Sequence, residues 1–493
     1  MEPKNLIEIN YFKTKLMNSA NISRKALFLI LPILLLTAAC HNSPKKENNR
    51  KIVTPLANFK PGVVMDRVPC ASDTSESYAL YLPSDYIQGK PFPVIFFFDA
   101  HARGALVVKK YKSVAESLSL ILVASNNSEN GQPENVSNDI LYHFMQDVEK
   151  RFSLDPQRIY TSGFSGGARV AAGIGLFNKS VAGTIGLEAG FPAIRQIPDA
   201  HLTYVGVVGN LDFNYLEMKN LETQLNSLGM NNLLIVYPGK HALPPAEIFK
   251  RAYEFLMLNA MRKNIIPIHQ SVIDSVKMNY DKIRLETQKR HQYLQELEAD
   301  QGMVKNLEGL ADVSFYQKEI KQLSASHACQ NQMKRAAALN TTEGKFQQKY
   351  AASLNSRDAA WWKHEIQGIY QKKKAANSED EKLMNQRLLN YLSLMSYIYA
   401  DGSIKNGQMD ATKKFLMIYQ MVDPDNSEVY LMKAEYYAIT NQDAKVVPSL
   451  QEALNHGFND AYRIRYNKYF QKLKSSPKFD QILEEIKNLP KTD

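Results

Sequence analysis

An α/β architecture, with a mostly parallel, doubly wound sheet followed by an all-α region, is what this 493-residue sequence predicts. Three observations carry that expectation. Between residues 61 and 262, short apolar runs alternate with amphipathic stretches, which is the pattern of successive βα units. One of those runs passes into a glycine-rich turn, Gly163-Phe164-Ser165-Gly166-Gly167, and then into an Ala-rich helical stretch. From Ile265 onward strand-like runs vanish, and apolar residues recur at helical spacing instead.

The chain opens with an address. Arg24-Lys25 precede an apolar run, Ala26 to Leu36, and Thr37-Ala38-Ala39-Cys40 follow. A basic stretch, a short apolar stretch and small residues before a cut are the marks of a secretory signal. The run is far shorter than the ~20 residues a membrane helix needs. Its ending resembles the bacterial lipobox, whose Cys becomes the lipidated first residue of the mature protein. On that resemblance residues 1–39 are a lipoprotein signal peptide, Cys40 is lipidated, and the membrane of a bacterial cell envelope is a partner, at its periplasmic or surface face. An ordinary cleaved signal and a non-lipidated anchor are the alternatives. Met17 is the expected start of translation, and residues 40–60, polar and without apolar periodicity, read as a tether.

Within residues 61–262, Pro93–Phe98 is unbroken apolar sequence and reads as a buried strand. Leu118–Ala124, Arg158–Ser162, Thr184–Ala189, Thr203–Val208 and Leu233–Tyr237 supply further strands. Ile140–Arg151, Arg169–Phe177 and Pro245–Met261 have helical spacing. In parallel sheets reactive groups gather past the carboxyl ends of the strands. The G-x-S-x-G pattern around Ser165 lies at such an end, between a strand and a helix, as a nucleophile elbow requires. Glycines are needed there because the turn is too sharp for flanking side chains. The following helix start aims its amides and positive dipole end at the reacting oxygen.

A serine needs a base, and the base needs an orienting acid. Asp212 follows the strand ending in Val208, and His241 follows the last strand, in Gly239-Lys240-His241. The chain order Ser, acid, His is that of the elbow-bearing folds. Glu188, near the end of the preceding strand, is the rival acid. Asp155-Pro156-Gln157-Arg158-Ile159-Tyr160 leading into the elbow, then the late Asp and the Gly-x-His, resemble the polyester depolymerase and feruloyl esterase branch of the α/β-hydrolase superfamily over about residues 80–260. The resemblance implies Ser165 as nucleophile, Asp212 as acid, His241 as base and an oxyanion hole built partly from the Gly166 amide. Where that family often has His-Gly, this chain has Asp99-Ala100-His101-Ala102-Arg103-Gly104. The amide of Ala100 or His101 is the expected second donor. Asn126-Asn127-Ser128 are expected to line the same edge.

In the second half, Ile268, Val272, Val276, Tyr280 and Ile283 form a helical stripe. Residues 263–385 read as a helical region in which Trp361-Trp362 are packing residues. Residues 386–493 resemble tetratricopeptide repeats, with a period of about 34 residues. With Ser427 as position one, Ala434, Tyr437, Leu450 and Ala453 fall on signature positions; Leu416, Tyr419 and Pro424 do so one period earlier. Such stacks offer a concave surface, here for a protein partner, or serve as a packing appendage.

The formal charge is +10. The surplus is spread along Lys-rich helices, as at Lys372-Lys373-Lys374, without a basic stripe interleaved with aromatics, so no nucleic-acid partner is expected. Three cysteines cannot build a disulfide framework, and pairing of Cys70 with Cys329 stays open. The sequence holds no metal-ligand spacing, phosphate loop or cofactor motif, so neither metal nor cofactor is expected. The leading functional reading is a serine esterase acting on a saccharide-linked or small carboxylic ester. A serine peptidase on the same triad is the first alternative. An inactive hydrolase-like lipoprotein whose repeats bind a protein is the second. Residues 61–262 are expected to be catalytically self-sufficient.

Overall fold

The structure is a computed structural model and describes residues 59–194, 196–197, 201–474 and 476–488. The expected signal peptide, Cys40 and nearly all of the tether lie outside the described residues.

Eight strands form one sheet: β1 (Val64–Pro69), β2 (Ser77–Tyr81), β3 (Phe92–Asp99), β4 (Ile121–Ser125), β5 (Leu154–Phe164), β6 (Val181–Leu187), β7 (Thr203–Gly209) and β8 (Asn232–Tyr237), in the order β1-β2-β4-β3-β5-β6-β7-β8. β3 pairs in parallel with β4 and β5, and β5 with β6, while β1–β2 and β2–β4 are antiparallel. Helices α1 (Gly104–Ser117), α2 (Glu134–Arg151), α3 (Gly166–Phe177), α4 (Tyr215–Ser227) and α5 (Ala246–Arg262) intervene. The mostly parallel, helix-flanked sheet that the sequence predicts is therefore present.

Local chemistry sets the boundaries. The expected strand from Leu118 begins only at Ile121, because Leu118 ends α1 and Ser119 turns the chain at φ 48°. β6 stops at Leu187 because Glu188 takes φ 59°. β5 starts earlier than expected, at Leu154. Pro156, which has no N–H to give, falls where the β3–β5 register shifts between Phe92 and Val94. Every residue of β3 is buried. Phe96 and Phe98 pack on Phe144 of α2, and Phe97 packs against Tyr111 and Phe249 of α1 and α5. Each such ring is worth about 2 kcal/mol of burial. β1 and β2 were not expected from sequence; Asp66 and Arg67 break the apolar pattern of β1.

After Ile265 the chain is helical: α6 (Gln270–Lys289), α7 (Tyr293–Leu307), α8 (Ser314–Ala325), α9 (His327–Ser353), α10 (Ala359–Lys374), α11 (Glu379–Lys405), α12 (Met409–Val422), α13 (Ser427–Ile439), α14 (Val446–Asn455), α15 (Ala461–Arg465) and α16 (Pro477–Asn488). Ser326, Asp358 and Ser378 cap α9, α10 and α11 through their side-chain oxygens. The stripe Val272, Val276 and Tyr280 is buried on α6, but Ile268 precedes the helix and is 61% exposed. Helices α11 and α12 pack together, as do α13 and α14. Leu416, Tyr419, Ala434, Leu450 and Ala453 are buried in those pairs, and Trp362 is fully buried among them. None of the described helices is long and apolar enough to cross a membrane.

By their contacts the residues form two compact units. Unit one runs through Gly206 and adds Gln224–Asn232 and Pro245–Ile265. Unit two comprises Val207–Thr223, Leu233–Pro244 and the chain from Ile266 onward, so the end of β7, most of β8 and the segments that follow them group with the later helices. Cys70 in unit one and Cys329 in unit two are buried free thiols, so the pairing that the sequence left open is not formed. Burial, reinforced by Asp147, pushes the Cys70 thiol up to about 12.

Candidate active site

In unit one, β5 runs into Ser165 and α3 begins at Gly166. Ser165 has φ 55° and ψ −121°, a strained backbone for a residue with a Cβ. Its surroundings hold it there. The Ser165 N–H donates to the Leu187 carbonyl at 2.9 Å, and the Ser165 carbonyl accepts from the Ala168 N–H at 3.0 Å. The two flanking glycines are spatial necessities. A Cβ on Gly163 would lie 2.2 Å from the Gly167 oxygen, and one on Gly167 would lie 2.1 Å from the Phe98 oxygen. Helix and strand thus approach as closely as backbone allows, which places the serine above the start of α3.

The loop after β3 is organised by buried Asp99. Arg103 forks onto it, Nε to Oδ1 at 2.8 Å and Nη2 to Oδ2 at 2.9 Å. Burial alone would raise the Asp99 carboxyl, but the Arg103 hydrogen bonds and charge, with the His101 amide, hold it below its ordinary value. Arg103 is therefore loop structure. The His101 N–H donates to Asp99 Oδ1 at 2.9 Å, which commits that amide and leaves Ala100 as the better of the two expected oxyanion donors. The His101 side chain is exposed. Asn126, Asn127 and Ser128 are brackets: Asn127 Oδ1 accepts the Ser77 N–H, Asn126 Nδ2 donates to the Asp66 carbonyl, and the Ser128 N–H donates to Ser125 Oγ. The residue that reaches the elbow is Asn130, which sequence reasoning missed. Its N–H donates to the Ala100 carbonyl at 3.0 Å, and its side chain fills the space beside the Gly166 Cα. Its only sequence signal was its place just after that polar run.

In unit two, His241 Nδ1 lies 2.6 Å from Asp212 Oδ2. An ionised carboxylate only accepts, so it is an Nδ1 proton that faces Asp212, which orients the ring. Asp212 is fully buried; its other oxygen accepts the Asn214 N–H at 2.6 Å. The Phe213 ring stacks on the imidazole, centroids 4.2 Å apart. The two loops also bond through their backbones. The Asn210 N–H donates to the Tyr237 carbonyl at 2.8 Å and the Leu211 N–H to the Gly239 carbonyl at 2.9 Å. Two of the three residues expected to form a triad are thus brought together. Glu188, the rival acid, is fully buried at φ 59° just past β6.

Arg387 and Asn390 of α11 donate hydrogen bonds to the carbonyls of Asn210 and Leu211. Elsewhere, Asp73, Glu76 and His143 of unit one come within reach of a common ion. There His143 pairs with Glu76 at 3.0 Å and Asp73 accepts from Ser75, which accounts for all three side chains.

No family model matches the chain, and no curated protein matches it. Among solved structures it is similar to an S-formylglutathione hydrolase of Staphylococcus aureus, at 15% identity and TM-score 0.30, over 37% of this chain and 90% of that one. It is also similar to the fluorophosphonate-binding serine hydrolase F of Staphylococcus aureus, at 14% identity and TM-score 0.34, over 40% and 98%. A third is a feruloyl esterase module from Clostridium thermocellum, at 15% identity and TM-score 0.29, over 40% and 85%.

Proposed function

We propose that this chain is a serine hydrolase acting on carboxylic esters, saccharide-linked or small, with Ser165 as nucleophile, His241 as base and Asp212 as acid. The observation that carries the reading is the strained Ser165 on a turn that admits no side chain at Gly163 or Gly167. Such strain persists only where the surrounding structure imposes it, and it concentrates at reactive groups. The buried Asp212–His241 pair supports the reading, since it presents an imidazole whose Nε2 is ready to take a proton.

In this reading Ser165 Oγ attacks the ester carbonyl carbon as its proton passes to His241 Nε2. The carbonyl oxygen becomes an oxyanion, stabilised by the amides of Gly166 and Ala100. Collapse breaks the ester C–O bond, and the leaving alcohol takes the proton from His241. Water then repeats the sequence on the acyl-enzyme, releasing the acid and restoring Ser165. Asp212 stays ionised throughout and stabilises the imidazolium. The preference for esters over amides rests on the resemblance to the depolymerase and feruloyl esterase branch.

The test is fluorophosphonate labelling of the full chain with kcat/KM on a panel of esters and peptide amides, for wild type and Ser165→Ala. We expect labelling and ester turnover in wild type, and in Ser165→Ala no labelling and a kcat lower by about 10⁶-fold. Turnover confined to amides would favour a peptidase. An unlabelled, inactive wild type would favour a binding protein.

A further inference from the structure

We infer that Arg387 and Asn390, on a helix some 175 residues further along the chain, are positioning residues that hold the acid turn in register with His241. The inference rests on the proposed role of Asp212. Its starting point is the hydrogen-bond account of the two residues before Asp212. The N–H groups of Asn210 and Leu211 are satisfied by the loop that carries His241. Their carbonyls point the other way and are met by α11. Arg387 Nη1 donates to the Asn210 oxygen at 3.0 Å, and Asn390 Nδ2 donates to the Leu211 oxygen at 2.7 Å. The turn is therefore gripped on both sides, by the base loop and by the helix.

The grip is itself held rigidly. Arg387 Nε and Nη2 fork onto Glu343 of α9, at 2.9 Å to Oε1 and 2.6 Å to Oε2, and both residues are buried. The guanidinium carbon lies over the Tyr215 ring, 4.1 Å from its centroid, at the start of the helix that follows Asp212. Asn390 Oδ1 accepts from Gln386 Nε2 at 2.8 Å, which orients its amide group toward Leu211. A buried arginine that spends one fork on a carboxylate and its remaining nitrogen on a single backbone oxygen is a fixed point. What it fixes is the main chain two residues before a carboxylate whose contact with the imidazole is 2.6 Å. Displacements of about 1 Å in such a contact cost on the order of 10²-fold in rate.

The experiment uses the full chain and a small soluble ester. Arg387→Met should lower kcat by about 10²-fold with KM changed by less than threefold. Asn390→Ala, which leaves the buried ion pair intact, should lower kcat by about tenfold. Arg387→Lys, which keeps the charge without the fork, should recover only part of the loss. In each variant the downfield Nδ1 proton of His241, followed by NMR, should broaden or shift, a change that a purely structural contact would not produce. The idea is overturned if folded Arg387→Met and Asn390→Ala both keep kcat within twofold and leave that proton unmoved. If Arg387→Met fails to fold, Asn390→Ala decides alone. Ser165→Ala is run alongside: retained activity there defeats the hydrolase reading, and the Nδ1 signal still judges the positioning role.

Discussion

The serine turn and the acid–base turns are built by opposite means. The turn at Ser165 is determined mostly by its own motif: glycines, a strand before it and a helix after it hold the serine at φ 55°, and the atoms that crowd those glycines belong to the first turn of α3, to Phe98 at the end of the neighbouring β3 and to the Asn130 side chain. The turn at Asp212 has local bonds of its own, from the Asp212 N–H to the Gly209 carbonyl and from the Asn214 N–H to the carboxylate, but it is also held from afar. The N–H groups of Asn210 and Leu211 are bonded by the loop around Tyr237–Gly239, and their carbonyls by α11. Strain stored in a short motif makes a site that can be recognised from five residues. A site fastened by distant side chains gives no such signature, although it needs the same accuracy.

The largest effect that would break this comparison is at the acid. In the proposed triad, Asp212→Asn would remove the charge that orients His241 and stabilises its imidazolium, and kcat should fall about 10⁴-fold. Glu188→Gln, measured in the same ester assay, should stay within tenfold. If the order is reversed, the acid is Glu188, and the distant fastening of the Asp212 turn has nothing to do with catalysis.

The second effect concerns the elbow. Gly167→Ala would put a methyl group 2.1 Å from the Phe98 oxygen, where neither strand nor helix can yield. We expect a loss of about 3 kcal/mol in urea unfolding. Gly344→Ala in α9 is the contrast, because its Cβ would meet only the Leu216 side chain, at 3.4 Å. That variant should be neutral or gain about 0.5–1 kcal/mol from helix propensity. Equal tolerance at both positions would mean that the serine turn is not tightly built.

These contrasts explain how much was legible in the sequence. β3, β4 and β7 were readable because strands buried along their whole length give nearly unbroken apolar runs. The elbow was readable because Gly163 and Gly167 have no substitute there. The Asp212–His241 pair was readable from its place past strand ends. β1, with Asp66 and Arg67 inside it, gave no apolar alternation, and α1 lay hidden behind the loop that begins at Asp99. His101 looked like an amide donor, yet its N–H serves Asp99, a contact made by a two-residue turn that no spacing rule encodes. Arg387 was one arginine among many on Lys-rich and Arg-rich helices. Only three-dimensional packing singles it out by burying it against Glu343.

The smallest effect contrasts two buried aspartates, one in each unit. Asp99 in unit one has Arg103 to itself and is held below its ordinary value. Asp300 in unit two shares Arg284 with Glu319 and Glu296. Burial, together with repulsion from Glu296 and Glu319, outweighs Arg284 and pushes Asp300 up to about 6 from an ordinary 3.8. The signs are opposite. A lowered carboxyl adds stability that is fully present above the unfolded value and lost as pH falls from there through the folded value. A raised one adds stability present below the unfolded value and lost as pH rises through the folded value, because the folded state then gives up a proton it alone retained. Between pH 4 and 6 the Asp99 contribution should therefore be steady while that of Asp300 declines. Urea midpoints at pH 4, 5, 6 and 7 for wild type, Asp99→Asn and Asp300→Asn would show it. The advantage of Asp300→Asn over wild type should widen from pH 4 to 6 and then level off, since asparagine imitates the protonated acid at every pH. The deficit of Asp99→Asn should stay constant over the same range. A constant gap for Asp300→Asn would mean that Arg284 keeps Asp300 ionised despite its two competitors, and the contrast between the units would not extend to their buried charges.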